Sequence, residues 1–173
     1  VEGRSGKKAL RLPGDGWMDV PKSASLDPTD SAWTVEVVLK PQTPYGMILA
    51  RGGRSQGYAL WLRQGRPAFT VVVNNQSTTV EAAEGVTDWT TLRGTITADH
   101  KATLRVDGRL AAEATLPSLI ERNPNEAMQI GADLGSRVAR YAKPGGFVGL
   151  IESVALFSGE RRAEELKAAA KEP

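Results

Sequence analysis

The sequence predicts an all-β chain: a two-sheet antiparallel jelly-roll sandwich with a short C-terminal helix. Three observations carry this. Apolar and polar residues alternate at period two through most of the chain. Turn-forming Gly, Pro, Asn and Asp separate the alternating runs. The only clear run of strong helix formers comes last. At 173 residues the chain suits one domain, 1–173, able to bury its own core.

The elements follow in order. Trp33-Thr34-Val35-Glu36-Val37-Val38-Leu39 puts Trp33, Val35, Val37 and Leu39 on one face and Thr34 and Glu36 on the other. Tyr58 to Arg63 groups Tyr58, Leu60 and Leu62 opposite Ala59, Trp61 and Arg63. Phe69, Val71 and Val73 oppose Thr70, Val72 and Asn74. Leu92 to Thr97, Ala102 to Val106 and the glycine-interrupted run Gly146 to Phe157 read the same way. Pro13-Gly14-Asp15-Gly16, Arg51-Gly52-Gly53, Gln64-Gly65, Asn74-Asn75 and Pro144-Gly145-Gly146 are turn signals. Asp107-Gly108, between Leu104-Arg105-Val106 and Arg109-Leu110-Ala111, predicts a hairpin with a type I′ turn. A brief helical turn is expected over 117–121. The closing helix is expected over Glu160 to Ala170.

Composition removes several function classes. The chain has 22 Lys plus Arg against 20 Asp plus Glu, and its basic residues are scattered, so nucleic acid is not an expected partner. No apolar run approaches a membrane span. There is no Cys and one His, so neither a thiolate metal site nor a cysteine nucleophile is available. His100, in Ala98-Asp99-His100-Lys101, reads as a turn residue. The chain starts at Val1 rather than Met, as a mature or trimmed fragment would.

Several segments together resemble laminin G-like domains of the concanavalin A-like lectin/glucanase superfamily. Ala9 to Pro21 is similar to the family's opening strand pair, and Ser25-Leu26-Asp27 with Trp33 to Pro41 to its second signature. Gly57-Tyr58-Ala59-Leu60 continues the pattern. Trp89 to Thr95 with Leu104 to Leu110 is similar to its central hairpin. Met128 to Asp133 and Gly146 to Val154 close it. Thr90-Thr91 stands where the family often has His-His, and Ile151-Glu152-Ser153-Val154 where it often has Ile-Asp-Glu-Val. The resemblance implies a non-catalytic module of a larger secreted bacterial protein, in the periplasm, medium or cell surface. Such modules accompany glycosidases and sulfatases, and some bind glycans or calcium.

Candidate chemistry divides three ways. Sandwich glycosidases need two carboxyls about 5–10 Å apart across the scissile bond. No Glu-x-Asp-x-Glu run exists, so a glycoside hydrolase ranks last. For calcium, Asp15 and Asp19 flank Gly16-Trp17-Met18, and Glu152 approaches them if the first and last strands pair. Asp15 reads equally as ordinary turn chemistry. For sugars, outward parity nominates Trp61, with Arg63, Thr70, Asn74 and Glu81 across paired strands: a ring to stack on a pyranose and polar groups to read its hydroxyls, unless a tail, a loop or a neighbouring domain covers Trp61. Trp33 and Trp89 are expected in the core, and Trp17 half-buried beside Val20. The Arg137 to Tyr141 loop either shapes a rim of that groove or is an ordinary solvated loop. Two partners follow: a glycan, or a sulfatase or glycosidase domain of the same polypeptide on which this domain packs as a structural unit.

Overall fold

In a computed structural model, which describes residues 1–138, 140–141 and 145–160, the alternation becomes a pleat. Twelve strands run in chain order among these residues. They are β1 (Leu10–Pro13), β2 (Met18–Val20), β3 (Trp33–Pro41), β4 (Gly46–Gly52), β5 (Gln56–Arg63) and β6 (Arg66–Val73). There follow β7 (Gln76–Glu81), β8 (Thr90–Ile96), β9 (Lys101–Val106), β10 (Arg109–Thr115), β11 (Met128–Ile130) and β12 (Val148–Ser158). They form two six-stranded antiparallel sheets, in the orders β1-β12-β3-β8-β9-β10 and β2-β11-β4-β5-β6-β7. The expected jelly-roll sandwich is therefore present. The expected C-terminal helix lies outside the described residues.

The core lies between the sheets. Val35, Val37, Leu39, Leu92 and Leu104 from the first sheet meet Leu60, Leu62, Phe69 and Val71 from the second, all essentially inaccessible. Removing such side chains from water is the main stabilising contribution, on the order of 1.5–3 kcal/mol for each. Gly94 of β8 gives the Phe69 ring its place: a Cβ at 94 would stand 2.5 Å from a ring carbon. Three two-residue hairpins set the register. Gln64-Gly65, Asn74-Asn75 and Asp107-Gly108 have positive φ at both residues, the type I′ geometry that matches strand twist. His100 also sits at positive φ, in the tight β8–β9 turn.

Three local expectations change and one holds. The opening strand pair does not pair with itself. β1 lies on β12, with Leu10 opposite Ile151, and β2 lies on β11, with Met18 opposite Ile130. The Pro13-Gly14-Asp15-Gly16 turn carries the chain from one sheet to the other. Residues 117–121 bend without forming a helix, whereas a 3-10 turn occurs at Ala24–Leu26, where the Ser23 hydroxyl accepts from the Ser25 N–H. Trp33 is core and donates its indole N–H to the Tyr58 hydroxyl, 3.1 Å away. Trp89 precedes β8, outside the pleat, and is only partly buried.

β5 and β6 are buried on both faces, which period two alone does not reveal. Their outward residues belong to a second cluster: Met47, Ala50, Ala59, Trp61, Ala68, Val72, Val138 and Tyr141. The last two come from the segment after β11, which crosses this outer face as a roof.

Candidate functional site

The outer face of the second sheet is laid down by register. Opposite one another across β4, β5, β6 and β7 stand Ala50, Ala59, Thr70 and Thr79. A second row runs Met47, Trp61, Ala68 and Glu81. Gly57, Val72 and Ser77 form a third. Small side chains make most of this floor, so the surface is low there. Over it lies a groove of about 770 Å³ lined by Trp61, Val72, Ser77 and Thr79 on the floor and by Arg54, Asn75, Arg137, Val138, Arg140 and Tyr141 around it.

Trp61 points out of the sandwich, opposite Leu60 and Leu62, yet it is not an open stacking platform. It is 7% exposed. The Tyr141 ring packs edge-on against it, with centroids 5.0 Å apart and planes at 62°. Its indole N–H donates to the Thr70 hydroxyl at 3.0 Å, and Thr70 bonds the exposed Thr79 hydroxyl at 2.8 Å. The buried ring is thus tied through Thr70 to a hydroxyl that faces the groove.

The other sequence candidates separate. Arg63 has its guanidinium carbon 6.0 Å from the Trp61 ring centroid and forms an ion pair with Glu81. Arg66 holds the other oxygen of Glu81 at 2.7 Å. Both lone-pair faces of Glu81 are therefore engaged by cations of the β5–β6 hairpin, beside the groove rather than in it. Asn74 occupies the β6–β7 turn, where positive φ breaks the alternation. Its side chain accepts from Gln56 at 2.8 Å and donates to Glu121 at 2.8 Å. Its neighbour Asn75 lines the groove instead.

Asp15, Asp19 and Glu152 are not brought together. β1 does pair with β12, but Glu152 lies past one end of β1 and Asp15 past the other, roughly 10 Å or more along the strand. Glu152 accepts from the Ser5 N–H (2.9 Å) and hydroxyl (2.6 Å), and these bonds hold its carboxyl below the usual range. Asp19 accepts from Trp17 at 3.3 Å and Gln129 at 2.9 Å. Asp15 is exposed in its turn. Among the described residues no group of three His, Asp or Glu side chains is arranged to hold a metal ion.

The roof is pinned by polar contacts. Gln129 accepts the Leu134 N–H at 2.7 Å, Glu126 accepts from the N–H and hydroxyl of Ser136, and Asp133 accepts the Val138 N–H at 3.0 Å. Burial pushes the Asp133 carboxyl above its usual value, against the opposing pull of the Val138 N–H, the Tyr141 hydroxyl and the Arg137 charge. The β4–β5 connection abuts this roof. A Cβ on Gly53 would run into Ser136, and Asn75 donates its N–H to the Ser55 carbonyl at 3.2 Å. Arg54, Asn75 and Arg137 accordingly stand on neighbouring segments at one end of the groove. Sequence parity could not nominate Arg54 or Asn75, because both lie in connections; the Arg137 to Tyr141 segment is the rim.

Three comparisons bear on this arrangement. A family model described as the concanavalin A-like lectin/glucanases superfamily matches residues 12–167. Comparison with curated proteins finds no match. Among solved structures, domains LG4-5 of the mouse laminin alpha1 chain superpose with a TM-score of 0.71 at 17% identity over 88% of this chain. This chain spans only 42% of that pair's length. The CBM40 of the Ruminococcus gnavus IT-sialidase, bound to alpha2,3 sialyllactose, gives a TM-score of 0.73 at 15% identity, covering 94% of this chain and 96% of that one. The binding domain of Paraclostridial Mosquitocidal Protein 1 gives 0.74 at 13% identity, covering 98% of this chain and 44% of that one. At these identities the likeness is one of fold.

Proposed function

The chain belongs to the concanavalin A-like lectin/glucanase superfamily, and from that premise we propose that it is a non-catalytic carbohydrate-binding module of a larger secreted bacterial protein. The observation that carries this reading is the groove itself. A largely buried apolar base of Trp61, Tyr141, Val72 and Val138 lies beneath hydroxyl, amide and guanidinium groups of Ser77, Thr79, Asn75 and the arginines. Sugars present the matching surface, apolar C–H faces rimmed by hydroxyls that donate and accept. A carbohydrate-bound module of the same fold supports the reading. Among the described residues no carboxylate lines the groove, so none of them supplies paired-acid hydrolysis there.

Binding of the purified domain to a panel of polysaccharides tests this. The expected outcome is retention of at least one glycan, lost in Ser77→Trp, which fills the floor from an exposed position. Because the described lining has no carboxylate for a cation, retention in chelator should equal that in calcium. Binding to nothing in the panel would overturn the reading.

A second reading has its own observation. Trp17, Met18 and Leu134 are 46–48% exposed, and the Asp19–Gln129 pair ties Trp17 to the Leu134 backbone at one end of the second sheet. Such a patch suits packing on a sulfatase or glycosidase domain of the same polypeptide. It predicts that Trp17→Ser leaves glycan retention intact.

A further inference from the structure

We propose that the groove selects acidic sugars, those bearing a carboxylate or sulfate group, over their neutral counterparts; this rests on the reading of the groove as a glycan site. Arg54, Arg137 and Arg140 all line it and all are exposed. Among the described residues none of the three has an ion-pair partner, and no Asp or Glu lines the groove with them. Asp133 feels the Arg137 charge but is committed to the Val138 N–H, and Glu126 to Ser136.

The arrangement differs from the rest of the same sheet. Arg63 and Arg66, one hairpin away, share the Glu81 carboxylate. Three guanidiniums lining one groove without a described ion-pair partner raise its positive potential, which a bound anion relieves. Guanidinium is the side-chain group best shaped to hold a planar carboxylate or a sulfate through paired N–H donors. Asn75, on the segment beside Arg54, adds amide donors, and Ser77 and Thr79 supply hydroxyls for the remaining sugar positions. Val72, Val138 and Tyr141, buried beneath these groups, back the groove with a low-dielectric base that strengthens its charge interactions.

Matched probes decide it: oligogalacturonate against the neutral galacto-oligosaccharide, dextran sulfate against dextran, and inorganic polyphosphate as an anion without sugar. Affinity would be measured by calorimetry for the unaltered domain and for Arg54→Gln, Arg137→Gln and Arg140→Gln, with thermal melts as the folding check. The expected result is at least about tenfold preference for one acidic sugar over its neutral partner, and about five- to tenfold loss in each variant at unchanged melting temperature. The preference should shrink several-fold between low and high salt. The carboxylate and sulfate arms tell which acid the groove takes. Equal binding of acidic and neutral sugars would overturn charge selection and leave the glycan site standing. Binding of no sugar at all would remove both. Polyphosphate held as tightly as the acidic sugar, or acidic-sugar affinity untouched by the three substitutions, would also overturn the proposal.

Discussion

The outer faces of the two sheets handle charge in opposite ways. On the first sheet, Glu36 of β3 stands directly opposite Arg93 of β8, and both side chains are largely buried. Arg93 donates from Nε at 2.9 Å and from Nη2 at 2.6 Å to one Glu36 oxygen, and Thr34 pairs with Thr95 beside them at 3.2 Å. Glu36 and Arg93 thus neutralise one another in register, while Arg105, on the other side of Arg93, donates to the Gly108 carbonyl. On the second sheet the equivalent rows are mostly small or apolar, their one charge, Glu81, is held at the edge by Arg63 and Arg66, and around the groove stand three arginines with no described ion-pair partner. The lesson concerns where binding energy can come from. A face whose polar groups already satisfy one another has nothing to offer a ligand, whereas a low floor with unpaired donors around it does.

Three substitutions or conditions probe the contrast. The largest effect is expected for Trp61→Ala, which removes the centre of the second cluster: about 3–5 kcal/mol of stability by denaturant unfolding. A cost below about 1 kcal/mol would mean that the roof does not pack on the floor as described. The loss also makes Trp61→Ala a poor binding probe, since reduced affinity would not be separable from a disturbed roof. Next comes a matched pair. Glu36→Ala removes the carboxylate oxygen that accepts two N–H groups of a largely buried guanidinium and should destabilise by about 3 kcal/mol. Arg54→Gln, on the other sheet, should change stability by less than about 0.5 kcal/mol. Similar costs for the two would erase the distinction between paired and unpaired faces. The last test lies between the faces. Burial pushes the Tyr58 hydroxyl up to about 12, against the pull of the Trp33 indole and the Arg51 charge. A phenol whose folded value is raised contributes fully below its ordinary value near 10, and that contribution fades as pH rises from 10 toward 12. Stability should therefore fall by about 2–3 kcal/mol over that interval, read by unfolding at stepped pH. Titration of all three tyrosines near pH 10 with no change in stability would contradict it.

Much of the fold was legible because the pleat writes itself into the chain at period two. β3, β5, β6, β8 and β9 follow alternations that need no tertiary information, and Asp107-Gly108 announces its own turn. The outward direction of Trp61 was legible for the same reason: β5 pairs with β6 without a register shift from Gln56 to Arg63. β4 was harder, since Met47-Ile48-Leu49-Ala50 is apolar on both faces and carries a shift between Met47 and Leu49. What covers Trp61 was not legible. Val138 and Tyr141 reach it from far along the chain, and nothing local marks a segment as a roof. Asn74 illustrates the other limit. Parity extends only to the last residue of a strand, and a type I′ turn redirects the side chain that follows.

The position of β12 has a consequence for the time course of folding. β3 is interior to the first sheet, between β8 and β12, and Leu39 meets Ile151 across most of the chain. During synthesis at roughly 5–20 residues per second, β3 waits on the order of 5–20 s for that neighbour. The second sheet has no such delay in its β4 to β7 meander, where consecutive strands close through short hairpins and loops. The groove floor is therefore the part of the molecule that can assemble early, while its roof arrives only with the residues that lead into β12.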